Sequence, residues 1–143
     1  MPSAQRSVRI ARPVDDVYAF FADAAHESSW RGDALREFTP MGPVAVGTRI
    51  RQVVAGPMGR SVDADIEITD LQPGVRYAFK GVAGPLRPTG EYAFRPVEEG
   101  TEVTFRLDAP LSGIKKLFMG PAVQKSMLAE MAALDRAKAV LEG

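Results

Sequence analysis

Between Val62 and Leu107 the apolar residues fall into short alternating runs: Val62, Ala64, Ile66 and Ile68, then Tyr77 and Phe79, then Tyr92 and Phe94, then Val103, Phe105 and Leu107. Alternation with period two, punctuated by turn residues, predicts strands that share one apolar face. A helical run follows Pro121 to about Glu142, with Val123, Met127, Met131, Leu134 and Leu141 on one side and Lys125, Glu130, Asp135, Arg136 and Lys138 mostly elsewhere. That stripe is the natural cover for the sheet's apolar face. A helix laid across a curved sheet leaves a hollow, so the pattern predicts an apolar pocket of roughly 300 to 1,000 Å³. It supplies no evident catalytic machinery inside it.

Upstream, Gln5 to Ala11 places Val8 and Ile10 on one face and Arg9 on the other, predicting the first strand. Pro13 sits where a helix can begin, Asp15 and Asp16 favour its positive end, and Val14, Val17, Tyr18 and Phe21 keep helical spacing to about Ala22. Asp23 to Trp30 reads as a turn or second short helix, and Leu35 to Pro40 as a second strand. The charges on the polar face then test the strand pairing. Folding Thr48–Ala55 onto Ser61–Leu71 through the GPMG loop sets Arg51 near Asp65 and Arg49 near Glu67. A turn at Gln72-Pro73-Gly74 is expected to set Glu67 near Arg76 and Asp63 near Lys80. The turn around Gly84-Pro85 sets Lys80 near Glu91 but leaves Arg76 against Arg95, and the one at Glu98-Glu99 sets Arg95 opposite Glu102 and Glu91 opposite Arg106.

Residues 1–143 suit one domain with one core. With 18 basic and 18 acidic residues there is no net field to draw the chain to nucleic acid or anionic lipid. The absence of cysteine removes disulfides, thiolate nucleophiles and thiolate metal sites. No apolar run is long enough for a signal segment or a membrane span, so the expectation is a soluble, cytoplasmic protein without stable membrane insertion. No metal site or cofactor is expected; monomer and homodimer both stay open.

Strand, two short helices, six strands and a long terminal helix is the element order of the helix-grip fold. The segments ARPVDDVYAFFAD with the following Trp30, GPVAVGTRIRQ, GPLRPTGEYAFRP, GTEVTFRL and the terminal amphipathic helix resemble the START-like superfamily, in its polyketide cyclase/dehydrase and lipid-transport branch. The resemblance spans nearly the whole chain and rests on pleat and turn patterns rather than on a catalytic signature. It implies an α+β fold: a curved antiparallel sheet of six to seven strands wrapped around a long C-terminal helix, with two short helices between strands 1 and 2. It also implies a cavity for a hydrophobic small molecule. Relatives range from cyclases to lipid or hormone binders, and fold alone does not choose among them.

The candidate lining set is Trp30, Gln52, Tyr77, Phe79, Tyr92, Phe94, Phe105, Met127 and Met131. Gln52 shares parity with Ile50 and Val54, so its amide needs a partner, from water, Tyr77, Tyr92 or a ligand oxygen; the alternative is a satisfied core amide. Tyr77 and Tyr92 carry hydroxyls able to orient a carbonyl, and the methionines offer adaptable walls. Each of these side chains also reads as ordinary core. Trp30 follows His26 by four residues, a spacing that on a helix turns both the same way, towards a cavity mouth; a tryptophan packed under the short helices is the plainer account. His26, the single histidine, reads first as a helix-surface residue in the polar AHESS stretch. Asp63, Asp65 and Glu67 share parity among basic neighbours and read as a solvated stripe. GPMGR lacks the Walker lysine and hydroxyl, and G-x-S-x-G and H-E-x-x-H are missing.

Three functions follow. The first is carriage or sequestration of a lipid, polyketide-like or aromatic metabolite. The second is a polyketide cyclase/dehydratase using the same pocket, with Tyr77, Tyr92 or His26 for proton transfer and the catalytic set otherwise unknown. The third, which the resemblance to co-chaperone domains of the same superfamily implies, is a protein-binding module, marked by an exposed apolar patch or a filled core with no cavity. The Leu111–Met119 segment is read as a flap or a first helical turn.

Overall fold

The computed structural model describes residues 3–32, 35–55, 60–83, 87–110, 121, 124–125 and 127–143. The GPMG loop, the Gly84-Pro85 turn, the Leu111–Met119 segment and Val123 lie outside the described residues. In chain order the elements are β1 (Ser3–Ile10), α1 (Val14–Ala22), a 3₁₀ turn (Ala24–His26), α2 (Glu27–Arg31), β2 (Leu35–Pro40), β3 (Arg49–Ala55), β4 (Ser61–Asp63), β5 (Ile66–Gln72), β6 (Arg76–Gly81), β7 (Thr89–Val97), β8 (Gly100–Asp108) and α3 (Leu134–Glu142).

One antiparallel sheet runs in the order β1-β8-β7-β6-β5-β3-β2, with β4 paired to β3. β4 and β5 keep the same register against β3, Val53 opposite Asp63 and Arg49 opposite Glu67. They are therefore one strand, interrupted where Asp65 Oδ1 accepts a hydrogen bond from the Gln52 backbone N–H at 3.1 Å. The sheet is curled around the terminal helix, with the short helices between strands 1 and 2. Gly90 serves the close packing of its inner face, because a Cβ there would overlap the Phe79 ring and approach Leu107 to 2.9 Å.

The apolar face is the one read from the alternation. Ile66, Ile68, Tyr77, Tyr92, Phe94, Val103, Phe105 and Leu107 are buried together with Val17, Phe20 and Phe21 of α1. Each such side chain contributes roughly 1.5 to 3 kcal/mol on leaving water, so this face supplies the main driving force for folding.

The charged face holds two parts of the expected ladder and corrects the middle. Arg51 reaches Asp63 at 3.2 Å and Asp65 at 3.5 Å. Arg95 pairs with Glu102 at 2.8 Å, and Glu91 stands opposite Arg106. Between β5 and β6, however, Glu67 faces Lys80 rather than Arg76, because the turn spans Pro73 to Val75 and the register shifts between Ile68 and Asp70. Between β6 and β7, Lys80 faces Thr89 and Arg76 faces Ala93. The expected clash of Arg76 with Arg95 disappears: Arg76 pairs with Glu91 at 2.6 Å and Asp70 at 3.2 Å.

The terminal helical run tightens at Ala133. Ala133 N–H bonds back to Glu130 O at 3.1 Å and Arg136 N–H to Ala133 O at 3.0 Å, both i to i−3. α3 then lies along β1. Arg6 bonds Asp135 at 2.7 Å, Lys138 Nζ donates to Arg9 O at 2.6 Å, and the Ala11 N–H donates to Glu142 Oε2 at 2.8 Å. Earlier in the run, Gln124 Nε2 donates to Ser3 O at 2.8 Å. No helix among the described residues is long and apolar enough to cross a membrane.

Candidate functional site

Most of the candidate lining residues converge on a single aromatic assembly. Tyr92 of β7 stacks on Phe105 of β8 with centroids 4.3 Å apart and meets Tyr77 of β6 edge-on at 5.9 Å. Phe79 lies 6.5 Å from Tyr77 and 6.4 Å from Tyr92. From the helical side, Trp30 of α2 stands 6.4 Å from Tyr92, and Phe21 of α1 bridges Trp30, Tyr92 and Phe94 at 5.3, 5.1 and 5.8 Å. Met127 and Met131 are buried in the same core cluster. Trp30 is only 1% exposed, a core residue beneath the short helices rather than part of a mouth.

Gln52 ties this assembly to charge. Its amide is satisfied by the protein, since Oε1 accepts from Arg31 Nη1 at 2.8 Å and Nε2 donates to Ala64 O at 3.0 Å. Arg31 also donates through Nη1 to Glu27 Oε2 at 3.2 Å and through Nη2 to Glu130 Oε1 at 3.3 Å. The result is a cluster of one guanidinium and two carboxylates, buried at Arg31 and Glu27 and half-buried at Glu130, uniting α2, β3 and the terminal helical run. Arg31 also sits 5.8 Å from the centre of the Phe38 ring. A second arginine secures the same corner: Arg136 donates to Trp30 O at 2.8 Å and Arg31 O at 3.1 Å, satisfying carbonyls left open at the end of α2.

Burial pushes the pKa of Glu27, the more deeply buried of the two carboxyls, up to about 7 although Arg31 opposes the shift. For Arg31 burial works against the charge, but Glu130 and Glu27 outweigh it and hold the guanidinium above its ordinary value. Burial first and Glu27 second raise the pKa of Tyr77 and of Tyr92, so both phenols stay protonated. Neither hydroxyl has a hydrogen-bond partner among the described residues; the fully enclosed side-chain nitrogens there that lack one are Trp30 Nε1 and Arg31 Nε.

Glu27, Arg31 and Glu130 were not among the residues picked from the sequence. Glu27, Trp30 and Arg31 stand at i, i+3 and i+4, and Glu130 lies between Met127 and Met131, so their apolar neighbours carried the signal. His26 lies apart: it is exposed, stacked on Phe20 at 4.9 Å, with Nδ1 3.9 Å from Asp23. A shallow groove of about 370 Å³ opens beside α1, lined by Tyr18, Ala19, Ala22, Asp23, Val44, Leu71 and Pro73. It includes none of the candidate lining residues.

The family model described as polyketide cyclase / dehydrase and lipid transport matches residues 1–142. No curated protein matches the sequence. Among solved structures, the chain is similar to TTHA0849 from Thermus thermophilus, with 22% identity and a TM-score of 0.76 over 97% of this chain and 99% of that one. It is similar to a START superfamily protein from Mycobacterium smegmatis, with 14% identity and a TM-score of 0.76 over 98% and 97%. It is also similar to the di-domain ARO/CYC BexL of the BE-7585A biosynthetic pathway, with 21% identity and a TM-score of 0.75 over 99% of this chain and 50% of that one. At these identities the likeness carries the fold.

Proposed function

We propose that this chain, which belongs to the polyketide cyclase/dehydrase and lipid transport family, holds a small hydrophobic ligand between its sheet and its C-terminal helix as a carrier or sequestering protein. The observation that carries the reading is the concentration of rings on one face, Tyr77, Phe79, Tyr92 and Phe105, with two tyrosine hydroxyls that have no partner among the described residues. Rings give a guest apolar and stacking contact, and donors fix its orientation. Trp30, Gln52, Phe94, Met127 and Met131 complete the proposed lining.

Trp30 is the single tryptophan, and it stands against Phe21 and Tyr92, so its emission reports on this interior. Native mass spectrometry of the purified protein with solvent extraction should recover a copurifying apolar molecule. Titrating the extracted molecule back should change Trp30 emission saturably. Ligand-free protein whose Trp30 emission ignores a panel of ring and acyl compounds would remove the proposal.

A cyclase/dehydratase role is the second reading, and Glu27 is what favours it. A buried carboxyl with its pKa near 7, within electrostatic reach of Tyr77 and Tyr92, suits proton transfer near neutrality. Under this reading Glu27 replaces His26 as the base, because His26 is exposed and stacked on Phe20.

A further inference from the structure

We infer that the Glu27–Arg31–Glu130 cluster makes the ring-lined interior selective for an uncharged guest bearing a hydrogen-bond acceptor, and against a carboxylate guest of the same shape. The inference rests on the binding reading above and adds to it a rule of charge. In many apolar sites an arginine anchors an acid through paired N–H donors. Here both terminal nitrogens of that anchor are already engaged: Nη1 of Arg31 serves both Glu27 and Gln52 and Nη2 serves Glu130, while Nε, a donor without a partner among the described residues, is closed to solvent.

Above pH 7, with Glu27 ionised, a guest carboxylate would therefore arrive as a third negative charge beside a cation that two carboxylates already hold. In a site of low polarity an unpaired charge is costly, whereas a ketone or ester oxygen asks only for a donor. The donors are at hand in the hydroxyls of Tyr77 and Tyr92. Glu27 acts on both more strongly than Arg31 does, so the local field favours phenol over phenolate, and by the same sign it disfavours an acid anion. Gln52 adds no free donor, since its Nε2 is engaged by Ala64 O.

Three probes of matched shape test this at pH 8 by equilibrium dialysis: 2-acetylnaphthalene, 2-naphthoate and 2-ethylnaphthalene. The ketone should bind at least 10-fold more tightly than the carboxylate. Glu27→Gln should narrow that gap at least threefold, and the double variant Tyr77→Phe/Tyr92→Phe should bring the ketone to the affinity of the hydrocarbon. Glu130→Gln provides the same test of the gap should Glu27→Gln fail to fold, which circular dichroism would show. Equal or tighter binding of 2-naphthoate, or a gap that neither glutamate variant narrows, overturns the inference while leaving the pocket in place. Failure of all three probes to bind overturns the pocket reading itself, and the charge rule with it.

Discussion

Replacing Glu27 by glutamine should change how stability depends on pH, in a direction set by the cluster. The ordinary glutamate pKa is 4.5, and the buried Glu27 carboxyl stands at about 7. Above pH 4.5 the unfolded chain ionises this group while the folded chain keeps its proton, so the unfolded state binds fewer protons and stability falls until the pH passes 7. Below pH 4.5 both states are protonated and the penalty vanishes. At ~1.36 kcal/mol per unit, the full shift corresponds to ~3 kcal/mol lost from acid to mildly alkaline pH. Glutamine keeps an acceptor for Arg31 but has no proton to lose, so Glu27→Gln should remove this component whatever fixed cost the amide brings. Urea denaturation followed by far-ultraviolet circular dichroism at pH 5 and pH 8 measures it: the wild type should lose ~2 to 3 kcal/mol more than the variant between these values. Parallel stability profiles for the two proteins would refute the reasoning, because they would mean that Glu27 titrates alike folded and unfolded.

Arg31→Met should be far more damaging than removal of an exposed arginine, since it strands Glu27, Glu130 and the Gln52 carbonyl; a loss of ~3 to 5 kcal/mol in urea denaturation at pH 8 is expected, shrinking at pH 5 as Glu27 gains its proton. Arg95→Met, which breaks an exposed pair with Glu102, should cost under ~1 kcal/mol in the same assay. Gly90→Ala should destabilise by ~1 to 3 kcal/mol, visible as a lower thermal midpoint, because its methyl meets Phe79 and Leu107.

How much of this was legible in the sequence depended on periodicity. The inner face could be read because a strand alternates strictly, so Tyr77, Tyr92 and Phe105 declared themselves by parity with Ile66 and Val103. Arg51 with Asp65 and Arg95 with Glu102 were equally visible, since undisturbed pairing preserves charge complementarity. The β5–β6 register was not, because an irregularity between Ile68 and Asp70 and a turn centred on Gly74 displace it, and neither leaves a mark in the charges alone. The ionic cluster escaped for a different reason. Glu27 and Arg31 look like a solvated helical pair until Trp30 beside them is known to be buried, and Gln52 gave half of the answer without its partner.

The contacts of the terminal helical run with β1 bear on how the protein keeps to itself. β1 is the last strand on its side of the sheet, and Ser3, Arg9 and Ala11 have the same parity, so their main-chain groups look toward one flank. An uncovered flank of this kind invites another chain to add a strand. Gln124, Lys138 and Glu142 occupy those groups with their side chains, so the run that roofs the interior also works as a gatekeeper against aggregation, and a chain trimmed of its final turns would be prone to self-associate through β1.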